Sequence, residues 1–96
     1  MFIFFLLSNA EKAIARSFKE DTDNWEIDSH YARHKTTGLI LQVHGGPINF
    51  DVPPGSGKYP SITSKLGRFI LWYYFKKLLT FKIENNLKIK SNNDQY

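Results

Sequence analysis

The chain has 96 residues, of which 42% are apolar and 16% aromatic, which is enough for one compact core and too little for two. It contains no cysteine, which excludes disulfide bonds and thiolate metal sites and is compatible with a cytoplasmic location. Residues 1–53 carry five Lys/Arg against seven Asp/Glu and residues 54–96 carry eight against two, and this basic second half favours a polyanionic partner.

Residues 1–7, MFIFFLL, are expected to form an apolar arm that packs on the domain, or an extension upstream of it. The run is shorter than the apolar region of a signal peptide and far shorter than a membrane span. A helix is predicted from Ser8 to about Glu20, because Ser8 and Glu11 have the spacing of a capping box. The face of this helix that is predicted to be buried consists of Ala10, Ala13, Ile14, Ser17 and Phe18.

Alternating hydrophobicity over residues 25–52 predicts a three-stranded antiparallel meander with residues 39–44 as the central strand. Two turn motifs set its register. KTTG predicts a three-residue loop over residues 36–38 with Gly38 in a left-handed conformation, and Gly45-Gly46 predicts a two-residue turn. The predicted core face is formed by Ile27, Tyr31, Leu39, Leu41, Val43, Ile48, Phe50 and Val52.

This register places His30, His34 and His44 on the outer face of the sheet and brings the first and last of them together. His30 would lie opposite His44, where facing Cβ atoms are ~4.5–5.5 Å apart. The pair is a candidate for catalysis, or for binding a metal or phosphate, with Asp28 or Asp51 orienting one ring. The alternative is an ordinary solvated sheet face. Neither a metal nor a cofactor is expected, because the sequence has no metal-ligand spacing.

A second helix is predicted after the loop at residues 53–60. The stripe predicted to face the core consists of Ile62, Leu66, Phe69, Ile70 and Tyr73. A second apolar stripe lies about half a turn away. It is a candidate surface for a protein partner or for a second copy of the chain, and it consists of Leu71, Phe75, Leu78 and Leu79.

The same helix carries a candidate nucleic-acid-binding surface. Lys65, Arg68, Trp72 and Lys76 recur at intervals of three and four residues and therefore share one side. The cations could neutralise phosphates and an exposed Trp72 could stack on a base, with Lys58 in the preceding loop extending the surface. The alternative is that Trp72 is buried and the cations form a solvated edge.

The predicted fold class is α+β, with the order helix, three-stranded meander, helix (αβββα) and both helices packed on one face of the sheet. The domain is predicted to span residues 8–80. Residues 81–96 are predicted to form a Lys/Asn-rich extension that is partly disordered or a small hairpin. Charged residues interrupt the second helix, so no membrane span is expected.

Over residues 10–79 this order of elements resembles the double-stranded-RNA-binding domain and the HicA-type toxins that share its topology. The resemblance to the RNA-binding domain implies that RNA is contacted by the first helix, by the KTTG loop, and by the start of the second helix with Lys58, Lys65 and Arg68.

The resemblance to the toxins rests on Trp25, Gly38 and Val52-Pro53. It implies a catalytic histidine directly after the glycine, where this chain has Leu39. The first hypothesis is therefore a small basic module that binds nucleic acid, RNA before DNA, without catalysis. The alternatives are a HicA-like ribonuclease toxin that uses one of the three histidines, and a protein-binding inhibitor or regulatory module that uses the second apolar stripe.

Overall fold

The structure, a computed structural model, describes residues 7–53 and 64–94, with side chains of the second stretch described to residue 89. The α+β class and the order of helix, strands and helix are confirmed, but the described residues form four strands where three were predicted. In chain order the elements are α1 (Asn9–Glu20), a 3-10 turn (Thr22–Asn24), β1 (Trp25–Ile27), β2 (Tyr31–His34), β3 (Ile40–Val43), a 3-10 turn (Pro47–Asn49), β4 (Phe50–Asp51) and α2 (Lys65–Asp94).

The predicted capping box opens α1. Ser8 Oγ accepts a hydrogen bond from the backbone of Glu11 at 3.2 Å, and Glu11 Oε1 accepts one from the backbone of Ser8 at 3.0 Å. The helix ends at Glu20, as predicted. Its buried face differs in part from the prediction, because Ala13 is exposed. The buried residues are Glu11, Ile14, Ala15 and Phe18.

Asp28 divides the predicted first strand into two. Its Oδ1 accepts hydrogen bonds from the backbone N–H groups of His30 at 2.7 Å and Tyr31 at 3.1 Å. A side-chain acceptor of this kind favours a tight turn. The chain reverses there, so β1 and β2 form a hairpin in which Trp25 pairs with His34. The sheet order is β1-β2-β3-β4, antiparallel throughout.

The loop between β2 and β3 is one residue longer than predicted. Gly38 has the predicted left-handed conformation, with φ of 75°. However, His34 N–H donates to Leu39 O at 2.8 Å, so the loop comprises the four residues 35–38. The sequence motif therefore identified the turn correctly but not its length, and the length sets the register.

Because the loop has one extra residue, β2 presents the opposite set of side chains to the core. Leu41 pairs with Ala32 where pairing with Arg33 was predicted. A shift of one residue moves every side chain of a strand to the opposite face. Ala32 and His34 are consequently buried, whereas Tyr31, a predicted core residue, is only partly buried.

The second turn is also longer than predicted. Gly45 and Gly46 have φ of 135° and 131°, values that favour glycine, but the 3-10 turn Pro47–Asn49 follows before β4 begins. Val43 therefore pairs with Phe50. Ile48, a predicted core residue, belongs to this turn and is exposed.

The core lies between one face of the sheet and both helices. Trp25 stacks on Phe18 of α1 with ring centroids 4.3 Å apart, and Phe50 packs on Phe75 of α2 at 5.5 Å. Trp25 Nε1 donates to Ser17 Oγ at 3.1 Å, which satisfies its polar atom. The buried apolar residues are Leu7, Ile14, Ala15, Phe18, Trp25, Ala32, Leu39, Leu41, Phe50, Val52, Leu71, Phe75 and Leu78.

The face of α2 that packs on the sheet is the second stripe, not the predicted one. Its residues Leu71, Phe75 and Leu78 are buried and Leu79 packs partly against them, so they are not available to a partner. The predicted core residues Leu66, Phe69 and Tyr73 are exposed, Ile70 is partly buried and Ile62 lies outside the described residues.

A contact between α1 and the start of α2 explains which face is buried. Ser64 Oγ accepts a hydrogen bond from Gly67 N–H at 2.9 Å and donates one to Glu11 Oε2 at 3.2 Å. Gly67 is buried against the Glu11 carboxylate, and a Cβ at this position would lie 1.6 Å from Oε2. Only the glycine face of α2 can approach α1 this closely.

α2 continues through the segment predicted to be a hairpin or partly disordered, to Asp94. Lys82 donates a hydrogen bond to the backbone oxygen of Trp25, and burial lowers the pKa of its ammonium group. Extending an existing helix requires no new nucleus, whereas an isolated two-stranded hairpin is marginal. Residues 1–6, 95 and 96 lie outside the described part of the chain.

A double-mutant cycle at Glu11 and Gly67 should reveal this helix contact. With Glu11 present, the methyl group of Gly67→Ala displaces the carboxylate from its capping interactions, a loss of about 1 kcal/mol. This loss offsets the gain of about 1 kcal/mol in helix propensity from glycine to alanine. In a Glu11→Ala background only the Ser64 hydroxyl, 2.6 Å from the added Cβ, still has to move, so Gly67→Ala should be more favourable than with Glu11 present by about 1 kcal/mol. The measurement is the free energy of unfolding from urea denaturation.

Glu20→Ala, at the other end of α1, is the control background and should leave the effect of Gly67→Ala unchanged. Strictly additive effects of the Glu11 and Gly67 substitutions would contradict the contact.

Candidate functional site

Four of the five predicted nucleic-acid-binding residues lie along one side of α2. Lys65 and Lys76 are exposed, and Arg68 and Trp72 are partly buried. The four residues, called the basic stripe below, extend over about 16 Å at a helical rise of 1.5 Å per residue. Lys58 lies outside the described residues.

Two members of the basic stripe also have structural contacts. Arg68 Nη1 donates to the backbone oxygen of Ile48 at 3.0 Å, which attaches α2 to the turn before β4. Trp72 packs partly against the core, and the Lys76 ammonium lies over its ring, 5.7 Å from the centroid. This distance is within the cation–π range. Trp72 therefore presents little free ring surface for a base and instead positions Lys76.

The helices form a basic layer and the sheet an acidic one. α2 has seven Lys/Arg against two Asp/Glu, and α1 has three against two, of which Glu11 is buried. Residues 21–53, which contain the sheet, have two Lys/Arg against five Asp/Glu. The positive potential is therefore concentrated on the helical side of the molecule, where a polyanion would be attracted.

An apolar groove of about 750 Å³ runs between α1 and α2 on the outside of the helical layer. Phe18 and Lys19 of α1 form one wall, and Phe69, Tyr73 and Phe81 of α2 belong to the other. The groove exists because the predicted core stripe of α2 faces outward. These apolar residues were recognised in the sequence, but their spacing led to the prediction that they face the core.

The predicted pairing of His30 with His44 is absent. Val43 N–H donates to His30 O at 2.8 Å, so the one-residue shift of β2 brings Val43 to the position predicted for His44. His30 is exposed in the turn between β1 and β2. His44 is exposed beside Asp51, with Nε2 3.6 Å from Oδ1. The two candidate catalytic histidines therefore do not form a common site.

His34, which was predicted on the outer face, is buried in a polar cluster instead. Its Nε2 lies 2.8 Å from Asp21 Oδ2. The backbone N–H of Thr37 donates to Nδ1 at 3.3 Å, and Thr37 Oγ1 lies 3.0 Å from the same atom. Because Nδ1 accepts a backbone hydrogen bond, the neutral ring carries its proton on Nε2 and donates it to Asp21.

This cluster attaches the β2–β3 loop to the end of α1. Both ring nitrogens of His34 are engaged within the protein, and the Trp25 ring lies edge-on to the imidazole at 4.9 Å. Asn24 Nδ2 also donates to Asp21 Oδ1 at 2.7 Å. The arrangement links the end of α1 to the β2–β3 loop, since both ring nitrogens of His34 have partners on these segments. No spacing in the sequence indicated it, because it depends on the register of β2.

Within residues 7–53 and 64–94, no group of three His, Cys, Asp or Glu residues is placed to hold a metal ion. No helix in the same ranges is long and apolar enough to cross a membrane.

Comparison with models of known protein families, with curated protein sequences and with solved structures gave no significant match to this chain. The resemblance to the double-stranded-RNA-binding domain and to HicA-type toxins stays a prediction from the order of elements.

The contact between Asp21 and His34 should make the stability of the protein fall at acid pH. Hydrogen bonds from His34 and Asn24 hold the pKa of the Asp21 carboxyl below its usual value of 3.8. The unfolded chain therefore binds this proton more readily than the folded chain. The stabilisation is fully present above the unfolded pKa and is lost as the pH falls through the lower, folded pKa.

In Asp21→Asn, the decline in the free energy of unfolding between about pH 5 and pH 2 should be shallower than in the unsubstituted protein. Urea denaturation at a series of pH values measures it. Asp23→Asn, which removes an exposed carboxylate two residues away, is the matched control. An equal decline in the unsubstituted protein and in Asp21→Asn would contradict the role of the contact.

Proposed function

We propose that the protein is a small, non-catalytic module that binds nucleic acid through the helical layer, with the basic stripe of α2 contacting the phosphate backbone. The observation that carries this proposal is the separation of charge between the layers. α2 alone has an excess of five positive charges, while residues 21–53 have an excess of three negative charges. Neutralised phosphates release counterions, which is the main source of such binding.

The basic stripe is long enough to contact several phosphates of one strand of a duplex. Its length of about 16 Å corresponds to roughly five base-pair steps at 3.4 Å of duplex axis per phosphate of one strand. Lys65 and Lys76 would make the terminal phosphate contacts. Arg68, held by Ile48 O, fixes the direction of the stripe relative to the sheet. RNA is placed before DNA on the resemblance to the RNA-binding domain alone.

The structure gives the other two hypotheses less support. The ribonuclease hypothesis needs one of the three histidines; His30 and His44 are exposed but do not form a pair, and His34 is buried with both nitrogens engaged. The protein-binding hypothesis rested on Leu71, Phe75 and Leu78, which lie in the core.

Charge removal on the basic stripe should weaken binding uniformly across nucleic-acid sequences. Fluorescence anisotropy with labelled single- and double-stranded RNA and DNA, at about 50 mM and about 200 mM salt, measures the affinity and its salt dependence. Lys65→Ala and Lys76→Ala should each lower the slope of log K against log salt by about 1, because each removes one phosphate contact.

Arg33→Ala is the matched control, since it removes one positive charge from β2, where Arg33 pairs with Glu26 on the face of the sheet opposite the core. The basic stripe predicts that this control keeps its affinity and slope. Binding that does not respond to salt, or that weakens as much in Arg33→Ala as in Lys65→Ala, would refute the proposal.

A further inference from the structure

α2 has a second apolar face, on the side away from the sheet. Its residues, called the outer seam below, follow alternating steps of three and four positions once Lys76 and Thr80 are included. This spacing over three heptads is that of a helix that packs against another helix. The apolar members are Leu66, Phe69, Tyr73, Ile83 and Leu87.

The outer seam is exposed along its whole length. Phe69 is 48% exposed, Tyr73 52% and Leu87 62%, and the two other apolar members are similar. The seam extends over about 32 Å of helix, from Leu66 to Leu87. An exposed apolar strip of this length on a small protein marks an interaction surface. The helical spacing indicates that the surface that packs on the outer seam is also a helix.

The outer seam is complementary to itself in the antiparallel direction. When two copies of α2 are paired with opposite polarity, Phe69 of one copy faces Leu87 of the other and Tyr73 faces Ile83, while Leu66 at the end of the seam lies opposite Lys90. Lys76 faces Thr80, so no charged side chain opposes its own copy within the seam. Parallel pairing would instead bring the two Lys76 side chains together, which is unfavourable.

Charge on the groove wall favours the same direction. Glu11 lies against Gly67, and α1 and α2 run in the same direction from that contact, so Lys19, which lines the groove, stands level with residue 75. In the antiparallel pair, Glu84 of the other copy comes level with residue 72, about 4.5 Å along the helix from Lys19. Glu84, in the second half of one α2, therefore lies near the lysine of the α1 wall in the other copy.

We propose that two copies of this chain form a two-fold symmetric dimer, in which the outer seam of each α2 packs antiparallel on that of the other and covers the groove beside α1. The interface is isologous, because the same surface is used by both copies. Lys77 lies next to the two-fold axis in both copies, with its ammonium 4.8 Å from the centroid of its own Tyr73 ring. Added salt should strengthen the dimer by screening these like charges.

Sedimentation equilibrium of the full chain, without nucleic acid and at about 0.1 M and about 0.5 M salt, tests the proposal. The expected species has twice the chain mass of 11.2 kDa. Leu87→Glu should weaken the dimer at least tenfold. Ile89→Glu is the matched control, because Ile89 is 60% exposed on the same part of the helix but lies off the outer seam. It should leave the dissociation constant within about twofold, and circular dichroism should show α2 intact in both variants.

A charge exchange tests the orientation. Glu84→Lys should weaken the dimer, and Lys19→Glu in the same chain should restore it, since the two charges meet across the interface in the antiparallel pair only. Failure of the second substitution to restore pairing would overturn the antiparallel arrangement.

A monomer at every concentration would overturn the proposal. So would a monomer that dimerises only after residues 1–6 are deleted, because the apolar N-terminal segment would then be the occupant of the groove. Equal weakening by Leu87→Glu and Ile89→Glu would do the same. These measurements contain no nucleic acid, so their outcome is independent of the binding experiments with the basic stripe.

Discussion

The carboxylate of Glu11 joins the starts of both helices. One oxygen accepts the backbone N–H of Ser8 at the start of α1, and the other accepts the hydroxyl of Ser64, which itself caps α2 at Gly67. A negative charge placed at two positive helix ends is favourable for both. Because the two helices begin at this common point and run in the same direction, every later residue of α2 has a fixed height beside α1. The groove, the basic stripe and the outer seam all depend on this alignment.

Gly67 determines which face of α2 packs against the core. Its missing side chain makes room for the Glu11 carboxylate, and Leu71, Phe75 and Leu78 follow it on the same side at intervals of four, four and three residues. Those residues meet Phe50 and the inner face of the sheet. The opposite side of α2, which also carries apolar residues at helical spacing, is left in solvent. α2 is therefore a core helix on one side and an unpaired helix on the other.

Local signals in the sequence predicted local structure well. The Ser8–Glu11 spacing predicted the start of α1, and Gly38 predicted a left-handed turn residue. Properties that depend on distant contacts were not predicted. KTTG cannot show whether its loop has three or four residues, and that single residue decided the face of His34 and removed the predicted His30–His44 pair.

The periodicity of apolar residues could not predict which of the two faces of α2 is buried. Both faces have apolar residues at helical spacing, and only the fit of Gly67 against Glu11, 56 positions earlier in the chain, distinguishes them. The basic stripe was predictable for the opposite reason. It depends only on spacing within one helix, and it lies between the two apolar faces whichever of them is buried.

The position of the basic stripe gives the two proposals a physical connection. Lys76 belongs to both the basic stripe and the outer seam. In an antiparallel helix pair related by a perpendicular two-fold axis, the basic stripes of the two copies lie on the same side of the pair. Pairing two helices that each carry an excess of five positive charges is opposed by repulsion. A polyanion lying across both stripes would remove that repulsion, so by linkage each event would favour the other. Simple salt acts differently, because it screens the repulsion between copies but competes with the polyanion for the lysines. The charge on α2 would then make a nucleic acid both the ligand of the dimer and the agent that stabilises it.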